Sequence, residues 1–179
     1  ATHLGLALLI FAGLIWTGLE ALYGEETSRS PVGWSRGAAL LLGAVFLQSL
    51  LGGLVAGGKA GLVYTDWPMM NGAVFPPVDW AQGGLAFLHD QGLVQFNHRA
   101  VAYGLLIGAL VYAVQAWRWR LAEGLGAAAF ALLGVICLQA LVGVLTLVHA
   151  VPIGLGVLHQ AGAAIVLGVA TWNLWLVRR

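Results

Sequence analysis

The sequence predicts an all-α integral membrane protein with five transmembrane helices, and three observations predict it. Hydrophobic residues make up 60% of the 179 residues and charged residues only 8%, whereas soluble chains carry about 25% charged residues. The mean hydropathy is +0.90. Apolar stretches long enough to cross a bilayer occur five times. A soluble enzyme and a disordered segment are therefore excluded, and with a net charge of +1 no nucleic-acid partner is expected.

Each predicted span holds the roughly 20 apolar residues that a helix needs to cross the hydrocarbon core. Glycine is frequent in the spans, and in a membrane it lets helices approach closely. None of the runs alternates in polarity as the strand of a membrane barrel does. The predicted spans are 3–23, 37–57, 96–117, 125–148 and 154–177.

The positive charges predict which side of the membrane each connection faces. Six of the eight Lys and Arg residues fall on one side and two on the other. By the positive-inside rule the first side is cytoplasmic, or the matrix side in a mitochondrion, so the N-terminus faces outward. The six are Arg29, Arg36, Arg118, Arg120, Arg178 and Arg179, and the two are Lys59 and Arg99.

The outer connection at 58–95 is too long for a simple turn. It is rich in Gly and Pro, yet it keeps Trp67, Met69, Phe75 and Trp80, which a flexible linker would not carry. Loops of this length are uncommon unless they have a function. We expect a folded cover over the outer ends of the helices.

The spans contain an internal repeat. The second span reads LLGAVFLQSLLGGLVAG with Gln48, and the fourth reads LLGVICLQALVGVLTLV with Gln139. The third and fifth correspond through His98 and His159, and the first matches the fifth through His3. The first helix therefore looks like the end of a preceding four-helix unit, which predicts a duplicated four-helix bundle. The two glutamines are predicted to form interhelix hydrogen bonds.

Two histidines at one depth are the main candidate site. His98 and His159 lie on helices that run in the same direction, each a short distance in from the outer surface. If the helices face each other, the two imidazoles can bind one haem iron from opposite faces. Arg99 and Lys59 could pair with haem propionates, although Arg99 could equally extend to the interface as a long cation does.

Other interpretations stay open at this point. Zinc would need a third and a fourth ligand, and no Cys, Asp or Glu lies at that level of the spans. His89 and His149 fall at the outer surface and are expected to be structural. A cytochrome b that only transfers electrons, or a haem-free membrane scaffold, would fit the same spans.

Three motifs in chain order carry a resemblance to a known family. They are AGLVYTDWPMMNGAVFPP at 60–77, QFNHRAVAY at 95–103 and LHQAGA at 158–163. Together they resemble heme A synthase, an eight-helix membrane enzyme made of two similar four-helix halves. The resemblance covers essentially the whole chain. The outer loop lacks the cysteine pair of some members and so is similar to the mitochondrial and alpha-proteobacterial branch.

The resemblance implies an oxidoreductase that converts haem O to haem A by oxidising a ring methyl to a formyl group, for cytochrome c oxidase. It implies that His98 and His159 hold a haem b and that His3 is a ligand of the substrate haem. The family's catalytic carboxylate would lie in helices outside this sequence, and Gln95 stands at the equivalent position before His98. Activity of this chain by itself is therefore not expected.

The resemblance also implies an organisation and a set of partners. We expect 1–23 to end an N-terminal four-helix unit, 24–36 to be an inner loop, and 37–179 to form the haem-binding unit with its outer loop 58–95. The implied location is a bacterial inner membrane or the mitochondrial inner membrane. Implied partners are lipid, haem O synthase, the cytochrome c oxidase assembly machinery and an unidentified electron-transfer partner, with homo-oligomerisation left open.

Overall fold

The computed structural model describes residues 2–24 and 32–178, and within them the protein is all-helical. These residues contain six α-helices, two short 3₁₀ segments and no β-strand. The all-α prediction is confirmed. The helices are α1 (Thr2–Tyr23), α2 (Val32–Gly57), α3 (Ala86–His89), α4 (Gln91–Arg118), α5 (Glu123–Val148) and α6 (Ile153–Arg178).

Five of these helices are long and apolar enough to cross a membrane. The shortest, α1, has 22 residues, and at 1.5 Å per residue it is about 33 Å long. That length matches the hydrocarbon core of roughly 30 Å. The prediction of an integral membrane protein with five spans is confirmed. The predicted orientation stays a prediction.

Two helices begin earlier than their predicted spans. Helix α2 starts at Val32 and α4 at Gln91, five residues before the expected starts. For α4 the reason is a cap: the Asp90 carboxylate accepts a hydrogen bond from the Leu93 backbone N–H at 2.8 Å, which satisfies a free donor of the first turn and stabilises the helix start. The outer connection is therefore 58–90, and we call it the outer loop below. Arg29 and most of the predicted inner loop lie outside the described residues.

Helices α2, α4, α5 and α6 form a four-helix bundle in which each helix packs against two neighbours. Helix α2 contacts α4 and α6, and α5 contacts the same two helices. Helices α4 and α6 therefore face each other across the bundle. Helix α1 packs outside the bundle, mainly against α6. Buried alanines at the helix contacts allow this close packing, among them Ala38, Ala109, Ala113, Ala116, Ala128 and Ala170.

In the half of the bundle away from the outer loop, side-chain hydrogen bonds connect neighbouring helices. The Tyr112 hydroxyl on α4 donates to Asn173 Oδ1 on α6 at 3.1 Å, where both residues are buried. Trp175 Nε1 donates to Glu20 Oε2 at 2.8 Å and ties α6 to α1. These two hydrogen bonds fix the position of α6 along its axis relative to α4 and α1.

Candidate functional site

His98 and His159 meet between α4 and α6, near the outer end of the bundle. Each lies about two turns from the outer end of its helix, and each is partly buried. Their ring centroids are 6.4 Å apart and the ring planes cross at 80°. Residues 61 positions apart in sequence are brought together because the two helices face each other across the bundle.

This separation is compatible with two imidazoles on opposite sides of a single metal atom. With metal–nitrogen bonds of about 2.0 Å and about 1.1 Å from nitrogen to ring centroid, the centroids would be about 6.2 Å apart. The difference from the observed 6.4 Å is small enough for a slight rotation of either side chain to remove it. The sequence prediction that the two histidines share one level is confirmed; their role as ligands stays a prediction.

A glutamine on a neighbouring helix bonds each histidine. On α2, Gln48 Nε2 lies 3.1 Å from His98 Nδ1 and donates to the His98 carbonyl at 3.0 Å. On α5, Gln139 Nε2 lies 3.1 Å from His159 Nδ1 and donates to the His159 carbonyl at 2.7 Å. The predicted interhelix hydrogen bonds are confirmed, and their common target is the histidine.

A glycine one turn beyond each glutamine makes room for the histidine ring. A Cβ atom at Gly52 would lie 3.2 Å from Cε1 of His98, and one at Gly143 would lie 2.8 Å from Cε1 of His159. Any larger residue would push the ring away. The two histidines thus have matching surroundings, a glutamine and a glycine four residues apart on the adjacent helix.

Arg99, next to the first histidine, fastens the outer loop to the bundle. Its Nη1 donates to the Met69 carbonyl at 3.0 Å, and its Nη2 donates to the carbonyls of Tyr64 and Asp66, each at 3.1 Å. Nη2 also donates to Gln95 Oε1 at 3.1 Å. Its Nε is buried and has no hydrogen-bond partner among the described residues. The loop is thus a folded cover held by α4.

Gln95 was noted in the sequence only for its position before His98, and its role in anchoring the outer loop was missed. It is 2% exposed, and its Nε2 donates to the carbonyls of Ala60 and Tyr64 at 3.0 Å each. Together with Arg99 it holds the polypeptide of the cover in place. Its only signal in the sequence was a polar residue four positions before an arginine at a helix start, where both side chains share a face.

The cover also contains a tight turn stabilised by Asp66. The Asn71 backbone N–H donates to Asp66 Oδ2 at 2.8 Å. This hydrogen bond is the main reason why the pKa of Asp66 lies below its ordinary value, and the charge of Arg99 adds to it. Since the folded-state pKa is lowered, the contribution is fully present above the ordinary aspartate pKa and is lost as pH falls through the folded-state value.

The remaining candidates lie apart from the pair. His3 is exposed on α1, and Lys59 is exposed with a left-handed backbone at φ 53°. His89 and His149 are exposed, and His149 Nδ1 lies 2.8 Å from the Leu145 carbonyl. In the part of the chain that the structure describes, no three His, Cys, Asp or Glu side chains cluster as a metal site. Pairing of Lys59 or Arg99 with a propionate stays a prediction.

Replacing Arg99 with alanine is expected to loosen the cover without unfolding the bundle. Hydrogen bonds to a charged group contribute about 1.5–3 kcal/mol, so opening of the outer loop should become at least roughly ten-fold more frequent. Limited proteolysis of the membrane-embedded protein would measure this as faster cleavage within 58–90. Lys59→Ala, at the edge of the same loop, is the matched control. Equal cleavage rates for both variants and the unchanged protein would contradict the anchoring role.

The fold and the site define a class: a multi-span membrane protein with paired histidines held across a four-helix bundle. Residues 1–171 match the family model described as Cytochrome oxidase assembly protein. The chain belongs to this family.

Curated relatives agree. The heme A synthase of Caulobacter sp. (strain K31) is 53% identical over 99% of this chain and 52% of its own length. The heme A synthase of Caulobacter vibrioides is 55% identical over the same shares. That of Parvibaculum lavamentivorans is 43% identical over 97% of this chain and 50% of its own length. The chain thus spans about half the length of the curated relatives it matches.

Proposed function

We propose that this chain is the haem b half of a heme A synthase, with His98 and His159 as the axial ligands. The observation that carries the proposal is the 6.4 Å centroid separation of the two rings across the bundle. A haem bound there would supply one-electron transfer. His98 and His159 would both hold the iron, and a haem held by two histidines would suit electron transfer rather than oxygen binding.

The residues around the pair suit a flat apolar macrocycle. Because glycine leaves space beside each histidine ring, the rings can lie close to the neighbouring helices. Apolar helix faces exclude water from the site. The outer loop closes the outer end of the bundle, where Arg99 holds it. The buried, unpartnered Nε of Arg99 is a donor suited to a carboxylate such as a haem propionate. Lys59 is exposed at the same end of the molecule.

We assign the substrate side of the reaction to α1 and to residues outside this sequence. In this proposal His3 on α1 is one ligand of the substrate haem O, whose ring methyl is oxidised to the formyl group of haem A. The relatives, which are about twice as long, have room for three further spans and the catalytic carboxylate. The product would supply cytochrome c oxidase, and the location would be a bacterial inner membrane.

Matching surroundings of the two histidines support a repeat of helix pairs within residues 37–179. Each ring contacts a glutamine and a glycine that are four residues apart. A repeat of that kind is expected if two similar helical pairs arose from one. With α1 as the end of a preceding unit, residues 37–179 would form the second of two four-helix halves, giving eight helices in all.

The proposal is tested by haem analysis of cells that lack their own heme A synthase. Complementation with the complete protein containing this chain should restore haem A in solvent extracts separated by chromatography. Haem b bound to the purified protein without any haem A in the cells would instead favour the alternative, a transmembrane cytochrome b that acts only in electron transfer. A purified protein without a low-spin haem spectrum would contradict both.

A further inference from the structure

We propose that Gln48 and Gln139 are positioning residues that set the ring orientation and the proton position of the two histidines. The inference rests on the proposed function, because it concerns histidines that bind haem iron. In this proposal the two amides adjust the midpoint potential of the haem as well as joining the helices.

The geometry of the amides goes beyond a generic interhelix hydrogen bond. Each amide nitrogen contacts the ring Nδ1 and the main-chain carbonyl of the same histidine. Gln48 Nε2 also lies 3.3 Å from His98 Nε2. The hydrogen bond to the main-chain carbonyl fixes the amide, and the fixed amide restricts the ring through its contact with Nδ1. The same pairing occurs on α2 and on α5, so both rings are held from the side, and their planes cross at 80°.

The proton position follows from the chemistry of imidazole. A histidine that binds a metal through Nε2 carries its proton on Nδ1, and that N–H then needs an acceptor. A carboxamide has both a donor and an acceptor. A half-turn of the Gln48 amide would give up the Nε2 hydrogen bond to the His98 carbonyl and present Oε1 to the ring. That oxygen is buried and has no hydrogen-bond partner among the described residues, so it is the available acceptor.

A neutral acceptor has a different electronic effect from a charged one. A hydrogen bond from Nδ1–H makes the imidazole a stronger donor to iron and favours the ferric state. A carboxylate in the same place would strengthen that effect, and an apolar side chain would remove it. An ionised carboxylate is also costly inside a membrane span. The amides therefore hold the rings at an intermediate donor strength.

The test is a redox titration of haem b in the complete, haem-loaded protein. Gln139→Glu is expected to shift the midpoint potential downward and Gln139→Leu upward, with parallel shifts for Gln48→Glu and Gln48→Leu. The leucine variants should also retain haem about 10–100-fold less tightly, as is typical when a partner of a metal-bound histidine is removed. A purely structural role would not move the potential in opposite directions.

Tyr112→Phe is the matched control, since it removes a different hydrogen bond between α4 and α6 and should leave the potential unchanged. If a leucine variant yields no haem-loaded protein, the glutamate variants decide, because they keep the side-chain shape. Unchanged potentials in the glutamate variants, or shifts in the same direction for Glu and Leu, would overturn the inference. Failure of the proposed function is distinct: the unsubstituted protein would then show no low-spin haem b.

Discussion

His98→Ala and His159→Ala are each expected to abolish the low-spin haem b spectrum of the complete protein. The reason is geometric. Two rings with centroids 6.4 Å apart can occupy both axial positions of one iron, and removal of either leaves the iron with a single protein ligand. A five-coordinate haem is high-spin or is lost. Optical and electron paramagnetic resonance spectra of the purified variants measure the change.

Exposed histidines provide matched controls for this result. His89→Ala and His149→Ala remove imidazoles from the outer surface, where neither side chain contacts the pair, and they should leave the spectrum unchanged. A low-spin spectrum that persists in His98→Ala or His159→Ala would contradict the ligand assignment. Loss of the spectrum in all four variants would indicate general instability of the outer end of the bundle instead.

Gly143→Ala is expected to cause the second-largest loss of haem b. A Cβ atom at this position would lie 2.8 Å from Cε1 of His159, closer than carbon atoms normally approach, so the ring must move. Overpacking of this kind costs about 1–3 kcal/mol, and here the displaced group is a ligand. Gly52→Ala should have a smaller effect, because its Cβ would lie 3.2 Å from the His98 ring. Haem content per purified protein measures both.

Gly134→Ala on the same helix separates ring displacement from other effects of alanine. Within the described residues, a Cβ at Gly134 would meet no atom within 4 Å. Alanine is favoured over glycine in a helix by about 1 kcal/mol, so this variant should be as stable as the unchanged protein or more so. Equal haem content in Gly143→Ala and Gly134→Ala would show that the His159 ring is not held against α5 in the haem-loaded protein.

Hydropathy predicted the membrane helices well and their ends less well. All five spans were found because a helix in lipid must be apolar over most of its length. No other stretch of the sequence is apolar over such a length. The start of α4 was missed because Gln91, Gly92 and Gln95 lower the hydropathy around its first turn. That turn is stable through the Asp90 cap and the burial of Gln95 against the outer loop, and both depend on contacts that hydropathy does not contain.

The site was predictable where it depends on depth along a helix. His98 and His159 were paired from their distance to the outer helix ends, and Gln48 and Gln139 from their place in the repeat. The sequence could not show that each glutamine bonds a histidine, since that depends on which helices are neighbours. The sequence also could not show where the Arg99 side chain points. Its Nη atoms donate to carbonyls of the outer loop, and no local sequence pattern predicts such contacts.

Cryo-electron microscopy of the complete, haem-loaded protein would test directly whether His98 and His159 bind one haem iron. The measurement is the distance from the iron to the ring nitrogens of residues 98 and 159. We expect one porphyrin between the two rings, with both nitrogens about 2.0 Å from the same iron. A porphyrin bound by other residues, or two rings in mutual contact with nothing between them, would contradict it.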